Sequence, residues 1–138
     1  MKGEAREVAQ VVAGVAWEEA YCKRGPLLLL WGGETTVTVK GDGQGGRAQE
    51  MALALALELE GWPGSFLVAG TDGIDGMTPA AGAFGDGTTV DRARRRGLVP
   101  LDYLDNNDSY AFFKALGDLF ITGPTGTNVM DVALFYLP

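Results

Sequence analysis

The sequence has no histidine and a single cysteine, Cys22. The lack of histidine excludes Ser–His and Cys–His catalysis and histidine metal sites, which leaves aspartate and glutamate as the acid–base and metal-binding candidates. Carboxylate oxygens suit Mg²⁺, a hard cation that prefers oxygen ligands. A single cysteine cannot form an intrachain disulfide, so a cytoplasmic location is the default expectation.

The chain also lacks long apolar runs and an excess of positive charge. No stretch approaches the roughly 20 apolar residues that are needed to cross a bilayer, and the N-terminus has no signal-peptide core. The net charge of −7 argues against general nucleic-acid binding, which depends on neutralising phosphates. We therefore expect no membrane and no nucleic-acid partner. An anionic small substrate stays possible, because a local pocket can be positive on an acidic protein.

The residues that are present are typical of one globular domain. A chain of 138 residues with 46% hydrophobic content is large enough to bury a core. Strand-length apolar runs alternate with helical patterns, which predicts a three-layer α/β/α fold with a mixed sheet. The expected main helices cover 3–24 and 47–60, shorter ones cover 90–96, 101–104 and 109–116, and the expected strands cover 27–31, 35–40, 65–69, 118–122 and 132–137. Gly32 and Gly33 are predicted to join the first two strands as a hairpin, and 78–84 to form a loop or one helical turn.

Two carboxylates follow the strand predicted for 65–69. The apolar run Phe66–Val68 shows no polar alternation and predicts a strand that is buried on both faces, as in a parallel sheet. Asp72 and Asp75 come just after it, and ligands of open α/β sheets bind at the carboxyl ends of strands. An ordinary acidic turn explains the two Asp-Gly pairs as well as a ligand site does.

A glycine-rich loop, 41–46, precedes the helix predicted for 47–60. Within that helix Leu alternates with Ala or Glu as in a strand, but strong helix formers and the lack of β-branched residues favour a buried helix. Free N–H groups and the helix dipole favour anions at its start. Arg47 opposes that dipole, so a bound anion would explain its place, although a flexible loop explains the glycines equally well. Neither a Walker A motif nor a dinucleotide fingerprint is present.

Two further polar loops occur at 105–109 and 123–128. The four consecutive Asx residues of 105–108 exceed what a helix cap needs, which indicates a polar site. Three of the four polar loops follow strands, so we expect all four to converge on one edge of the sheet. The arginines of 92–96 crowd one short helix, and a solvated face explains them better than a nucleic-acid patch does.

Six motifs, in this order and roughly this spacing, resemble the MOFRL domain, which is the C-terminal domain of glycerate 2-kinases often labelled hydroxypyruvate reductase. The motifs are GGETTVTV (32–39), GGRAQE (45–50), AGTDGIDG (69–76), DGTT (86–89), NNDSY (106–110) and TGPTGTNV (122–129). The resemblance covers nearly the whole chain from Leu27 onward. It departs at Ala48 and Met130, where the family usually has Asn. The loss of these two polar groups argues against full catalysis.

The resemblance implies ATP-dependent phosphorylation of D-glycerate at its 2-hydroxyl, which gives 2-phosphoglycerate and ADP, with Mg²⁺ as the cofactor. It implies catalytic roles for Arg47 and Asp72, of which Arg47 suits a phosphate or the glycerate carboxylate. Residues for substrate or phosphate binding would be Gly45, Gly46, Gln49, Asn107, Thr125, Thr127 and Asn128. Metal ligands would be Asp75, Asp108 and Glu34.

In the family, the active site is expected in a cleft between this domain and a larger N-terminal kinase domain. That domain is absent from this sequence, so the isolated chain is expected to be inactive and to need a separate partner chain or a homo-oligomer. A second hypothesis is a stand-alone anion-binding or assembly module without catalysis. A reductase is suggested only by the name that the family often carries. A hydride-transfer enzyme should show a dinucleotide site, and the sequence shows none.

Overall fold

A computed structural model describes all 138 residues as six strands and five helices. The elements in chain order are β1 (Lys2–Glu4), α1 (Ala5–Cys22), β2 (Leu27–Thr36), α2 (Arg47–Glu58), β3 (Ser65–Gly70), β4 (Gly82–Asp86), α3 (Thr89–Arg95), α4 (Pro100–Asp105), α5 (Ser109–Leu116), β5 (Leu119–Phe120) and β6 (Asp131–Leu137). The strands form one sheet in the order β1-β2-β6-β3-β4-β5. Only β1 and β2 are parallel, and every other pair is antiparallel. The predicted mixed sheet of an α/β fold is confirmed.

Helix α2 is the centre of the core, and the helix predicted over 47–60 is confirmed. Residues 48–56 are all buried, because alternating Leu and Ala place apolar groups on every side of the helix. Helix α1 packs on α2 with a face that consists mainly of alanines, whereas Val11 and Val15 face solvent. Small side chains on both helices permit this close contact.

The helices pack into a single core on one face of the sheet. Phe66, Val68, Ala83, Ala133 and Phe135 belong to that core. On the opposite face, exposed apolar side chains come from β2, β6 and β4: Leu28, Leu30, Tyr136 and Phe84. The helices therefore cover one face of the sheet, and the other face carries exposed apolar side chains. An antiparallel sheet allows this arrangement, because only one of its faces must be covered.

The predicted hairpin at Gly32-Gly33 is wrong, because β2 runs unbroken from Leu27 to Thr36. Gly33 has a φ of +141°, and a Cβ there would lie 2.2 Å from the backbone of Met1. The backbone N–H of Glu34 donates to the Met1 carbonyl at 3.1 Å, so Met1 and β1 lie directly beside these glycines. The glycines thus admit a neighbouring chain segment instead of making a turn. Residues 37–40 lie outside any strand.

Other differences concern β3, β4 and β5. β3 pairs antiparallel with both neighbours, and Leu67 is only partly buried on the uncovered face, so the both-faces-buried prediction is wrong. Part of the predicted loop 78–84 is strand β4, held by pairing with β3 and β5 rather than by β propensity. A Cβ on Gly82 would lie 1.8 Å from the Val68 carbonyl oxygen, so glycine is required there. β5 contains two residues of the five expected.

Candidate functional site

The four polar loops meet at one edge of the sheet, as the sequence predicts. β2, β3 and β5 end at this edge, and β6 begins there with Asp131 opposite Gly33 and Gly70. Arg47 and Asp72 both line one cleft at this edge, with a volume of about 660 Å³. Of the predicted site residues, Gly45, Gly46, Arg47, Asp72 and Asn107 line this cleft.

The Asx-rich loop holds the glycine-rich loop in place. Asn107 Oδ1 accepts hydrogen bonds from the backbone N–H groups of Lys40 and Gly41, at 2.7 and 2.9 Å. Its Nδ2 donates to the buried carboxylate of Glu50 at 2.9 Å. Asp108 Oδ1 accepts from the backbone N–H of Gln44 at 2.9 Å. Asn107 and Asp108 therefore fix the conformation of the glycine-rich loop at the cleft wall, a role beyond capping a helix.

Close packing explains the glycines at the end of this loop. A Cβ on Gly45 would lie 2.3 Å from Ser109 Oγ, and one on Gly46 would lie 2.4 Å from the Asp75 carboxylate. Contacts this short exclude any side chain. The glycine-rich segment is thus a packed wall of the cleft and not a free flexible loop.

The start of α2 already has an anion, which is the carboxylate of Asp75. It accepts from the backbone N–H groups of Ala48 and Gln49 at 3.0 and 2.8 Å, and from Gln49 Nε2 at 2.9 Å. Gln49 Nε2 also donates to Thr78 Oγ1 at 2.9 Å. Burial raises the pKa of Asp75, and these hydrogen bonds act in the opposite direction. Asp75 serves here as an internal cap that ties the loop after β3 to α2.

Gln49 and Asp75 consequently lie behind the cleft wall rather than on it. Gln49 is fully buried and Asp75 is 4% exposed. The family resemblance implies ligand contacts for both. Their bonds to each other and to the helix start instead give them a scaffolding place in this structure.

The loop 123–128 packs on the residues that follow β3. The backbone N–H of Thr125 donates to the Asp72 carbonyl at 3.1 Å, and Thr71 donates from both its N–H and its hydroxyl to the Met130 carbonyl. The predicted binding residues Thr125, Thr127 and Asn128 are exposed beside the cleft. Asn128 Oδ1 accepts from the Met130 N–H at 3.0 Å, so its acceptor is used within the loop.

The two departures from the family pattern lie at structurally different points. Met130 has a φ of +70°, a left-handed conformation that Asn adopts far more readily than Met. Ala48 is buried, and its backbone N–H donates a hydrogen bond to the Asp75 carboxylate. The Met130 difference therefore concerns backbone strain as well as the loss of a polar group.

Arg47 occupies the first position of α2, between two carboxylates. Its Nη1 donates to Glu34, and its Nε lies 3.4 Å from Asp131 Oδ2. The Arg47 side chain remains about 41% exposed, whereas the Asp131 side chain is 5% exposed. Burial raises the pKa of Asp131 to about 6, with Arg47 lowering it and the carboxylates of Asp75, Glu34 and Asp72 raising it.

The sequence pattern does not single out Asp131. It directly precedes an apolar strand, and a lone aspartate at a strand start looks like an ordinary boundary residue. One sequence signal points to it: Asp131 follows the glycine-rich loop 123–128, just as Arg47 follows the glycine-rich loop 41–46, and the two have opposite charges.

The three residues proposed as metal ligands do not gather at one point. Glu34 pairs with Arg47, Asp75 caps α2, and Asp108 binds the glycine-rich loop. The structure contains no group of three or more acidic or thiol side chains that could hold a metal ion. These residues therefore do not fit a Mg²⁺ site built by this chain alone.

Two other expectations concern surfaces. All four arginines of the basic segment have protein partners: Arg92 binds Asp118, Arg94 binds Glu60, Arg95 binds Asp91, and Arg96 binds the Ala115 carbonyl. This pairing agrees with a solvated face.

No helix in the structure has the length and apolar character that crossing a membrane requires.

Comparison with known proteins gives a consistent set of relatives. The profile of the MOFRL family matches residues 27–131. The chain is 50% identical over 135 residues to a D-glycerate 2-kinase of Thermotoga maritima, covering 95% of this chain and 32% of that protein. It is 46% identical over 138 residues to an Agrobacterium vitis protein that carries the name hydroxypyruvate reductase, covering 96% and 36%.

The fold has a counterpart in a solved structure. A crystal structure of glycerate kinase from Thermotoga maritima superposes with a TM-score of 0.96 at 46% identity, covering 100% of this chain and 34% of that one. The chain thus spans about a third of the length of the curated relatives that it matches.

Proposed function

The chain belongs to the MOFRL family, and on that premise we propose that it forms the C-terminal part of a glycerate 2-kinase. In this proposal the cleft lined by Arg47 and Asp72 is this chain's share of a site in which ATP phosphorylates D-glycerate at its 2-hydroxyl. The products are 2-phosphoglycerate and ADP.

The observation that carries the proposal is the position of Arg47 and Asp72 on one cleft. Phosphoryl transfer depends mainly on positioning and on neutralising charge, so a half-exposed guanidinium in a cleft suits the chemistry. Arg47 would bind the glycerate carboxylate or the transferred phosphoryl group through its planar set of donors. Asp72 would accept a hydrogen bond from the reacting hydroxyl or contact the Mg²⁺ of ATP.

The remaining predicted residues receive roles from where they lie. Gly45, Gly46 and Asn107 form the cleft wall, and Thr125, Thr127 and Asn128 offer backbone and side-chain groups beside Asp72. Since the acidic residues here do not gather, we propose that Mg²⁺ enters with ATP, held mainly by phosphates and water, as is usual for this ion.

We further propose that a larger kinase domain supplies the opposite wall of the site, on the same chain, on a separate chain or in a second copy. An arginine and one carboxylate on one wall cannot position two substrates, and positioning supplies most of the rate acceleration in this reaction.

The alternative is an anion-binding or assembly module without turnover. The observation that favours it is that every acidic candidate already has a protein partner, including Asp72, whose Oδ1 accepts from the Ile74 N–H at 3.1 Å. A reductase has less support, since a hydride-transfer enzyme should show a dinucleotide site and the sequence has no dinucleotide fingerprint.

Ligand titration followed by ¹⁵N NMR tests the proposal on the chain itself. D-glycerate should shift the amide signals of Gly45, Gly46, Asp72 and Thr125, and Arg47→Ala should abolish the shifts. D-lactate, which has the same configuration but lacks the terminal hydroxyl, and Arg95→Ala, which removes an exposed arginine elsewhere, are the controls. Binding of inorganic phosphate without D-glycerate would favour the anion-binding module, and shifts that map to other surfaces would contradict the site.

A further inference from the structure

Asp131 is a buried carboxylate with an incomplete set of partners. As the first residue of β6 it lies between Gly33 of β2 and Gly70 of β3, its cross-strand neighbours. A Cβ on Gly70 would lie 3.4 Å from Asp131 Oδ1 and 3.2 Å from Asp72 Oδ1. Asp131 Oδ2 is buried and accepts no hydrogen bond. Burying a carboxylate this way costs stability unless another charge compensates it.

The compensating charge is Arg47, which itself occupies an unfavourable position. A cation in the first turn opposes the helix dipole, so α2 gains nothing from it. Glu34, on β2, accepts a hydrogen bond from Arg47 Nη1. Asp131, at the start of β6, lies 3.4 Å from Arg47 Nε. Nη2 has no hydrogen-bond acceptor in the protein. Two strands therefore restrain one side of the guanidinium and leave its remaining donors for the cleft.

We propose that Asp131 is a positioning residue that, together with Glu34, fixes the guanidinium of Arg47 toward an anionic ligand of the cleft. The inference rests on the proposed function only for the identity of that ligand, a hydroxy-acid carboxylate or a phosphoryl group. Its physical basis is pre-organisation: a free arginine side chain loses rotamer entropy when a ligand orders it. Prior ordering by two carboxylates removes most of that loss.

The charge of Asp131 makes this restraint dependent on pH. The groups that face it are Arg47 from α2, Glu34 from β2, and Asp72 and Asp75 from the loop after β3. With the pKa of Asp131 raised to about 6, the carboxylate is charged above that pH and becomes neutral below it. The restraint on Arg47 is therefore complete at pH 8 and weakens as the pH falls through 6.

The test is ¹⁵N relaxation of the Arg47 Nε–Hε group, whose signal is assigned by its loss in Arg47→Lys. In the wild-type chain at pH 7.5 this group should be ordered. Asp131→Asn should lower its order parameter below about 0.6, the range of flexible groups. Asp118→Asn, which breaks the Arg92–Asp118 pair elsewhere, is the matched control and should leave Arg47 unchanged. An equally ordered Arg47 in Asp131→Asn overturns the proposal.

A pH series on the wild-type chain decides the question without any variant. The Arg47 group should lose order between pH 7.5 and 5, while Arg94, which pairs with the exposed Glu60, should not. No loss of order would contradict the proposal even if Asp131→Asn fails to fold.

Ligand binding separates this inference from the function on which it rests. D-glycerate and inorganic phosphate are titrated into wild type, Asp131→Asn and Asp118→Asn at pH 7.5. Whichever ligand binds should bind about tenfold more weakly to Asp131→Asn and unchanged to Asp118→Asn. Equal affinity in Asp131→Asn overturns the positioning role. If neither ligand binds the wild type but Arg47 loses order as expected, positioning stands and the proposed substrate fails.

Discussion

The carboxylate of Asp75 accepts hydrogen bonds from both the backbone N–H and the side-chain Nε2 of Gln49, at 2.8 and 2.9 Å. The Ala48 N–H adds a third at 3.0 Å. A loop that follows β3 is thereby locked to the start of the central helix. This lock holds Arg47, which directly precedes Ala48, and Asp72, which lies three residues before Asp75, on the same cleft.

The first prediction concerns that lock. Asp75→Ala should lower the free energy of unfolding by about 2 to 4 kcal/mol, because it leaves two buried helix N–H groups without an acceptor. Urea denaturation measures this, with Asp91→Asn in an exposed i,i+4 pair as a control that should change by less than about 0.5 kcal/mol. If Asp75 were a metal ligand instead, Mg²⁺ would stabilise the wild type and not the variant.

The second prediction concerns Asn107, which bridges the glycine-rich loop and Glu50. Asn107→Asp keeps the size and the acceptor but replaces the Nδ2 donor with an oxygen facing the Glu50 carboxylate. We expect a loss of about 2 to 4 kcal/mol at pH 7, because the donor to a buried carboxylate is replaced by an acceptor. Urea denaturation measures it. In the neighbouring Asn106→Asp, the side-chain oxygen still accepts from the Asp42 N–H, so the effect should be small. Equal losses in the two variants would contradict the bridge.

The third prediction concerns the pH dependence of stability. Since burial raises the pKa of Asp131 to about 6, the folded chain holds its proton more tightly than the unfolded chain does. Asp131 therefore favours folding below about pH 4, and this contribution is lost as the pH rises from about 4 to 6. At pH 7 the cost is on the order of 3 kcal/mol, and Asp131→Asn should remove much of it.

Denaturation curves at pH 4.5 and 7.5 measure this difference. The wild type should lose more stability between these values than Asp131→Asn does. The pKa of Asp75 is also raised, so a smaller loss should remain in the variant. Parallel pH profiles for the two proteins would contradict the assignment.

The fourth prediction concerns Met130 and its φ of +70°. Met130→Asn should stabilise the chain by about 1 kcal/mol, because Asn tolerates the left-handed conformation with less strain. Met77→Asn, at an almost fully exposed site without positive φ, is the control and should be nearly neutral. Thermal unfolding measures both, and a destabilised Met130→Asn would show that the thioether makes contacts that matter more than the strain.

Local composition sufficed to predict several parts of this fold. Helix α2 follows from its strong helix formers, and its burial follows from apolar residues on every side. The meeting of the polar loops follows from strand ends that share one edge. These features depend on neighbouring residues, or on a rule of sheet geometry, and are visible in the sequence.

The features that the sequence misrepresented depend on distant partners. Gly33 looks like a turn residue until Met1 is found packed against it. The capping role of Asp75 depends on the start of α2, where its hydrogen-bond donor Gln49 lies 26 residues away. Asp131 looks like a boundary residue, and only the pairing of β6 with β2 and β3 brings it to Arg47. A local pattern cannot show such contacts.

The most direct test of the central claim is ADP release in a chimera in which this chain replaces the matching third of the Thermotoga maritima D-glycerate 2-kinase. With ATP, Mg²⁺ and D-glycerate, the chimera should turn over while this chain alone does not. Arg47→Ala and Asp72→Asn should each reduce turnover by roughly 100-fold or more, the scale for losing one pre-organised charged group, and Asp91→Asn should leave it unchanged. Unchanged turnover in both site variants, or robust turnover by the isolated chain, would contradict the account.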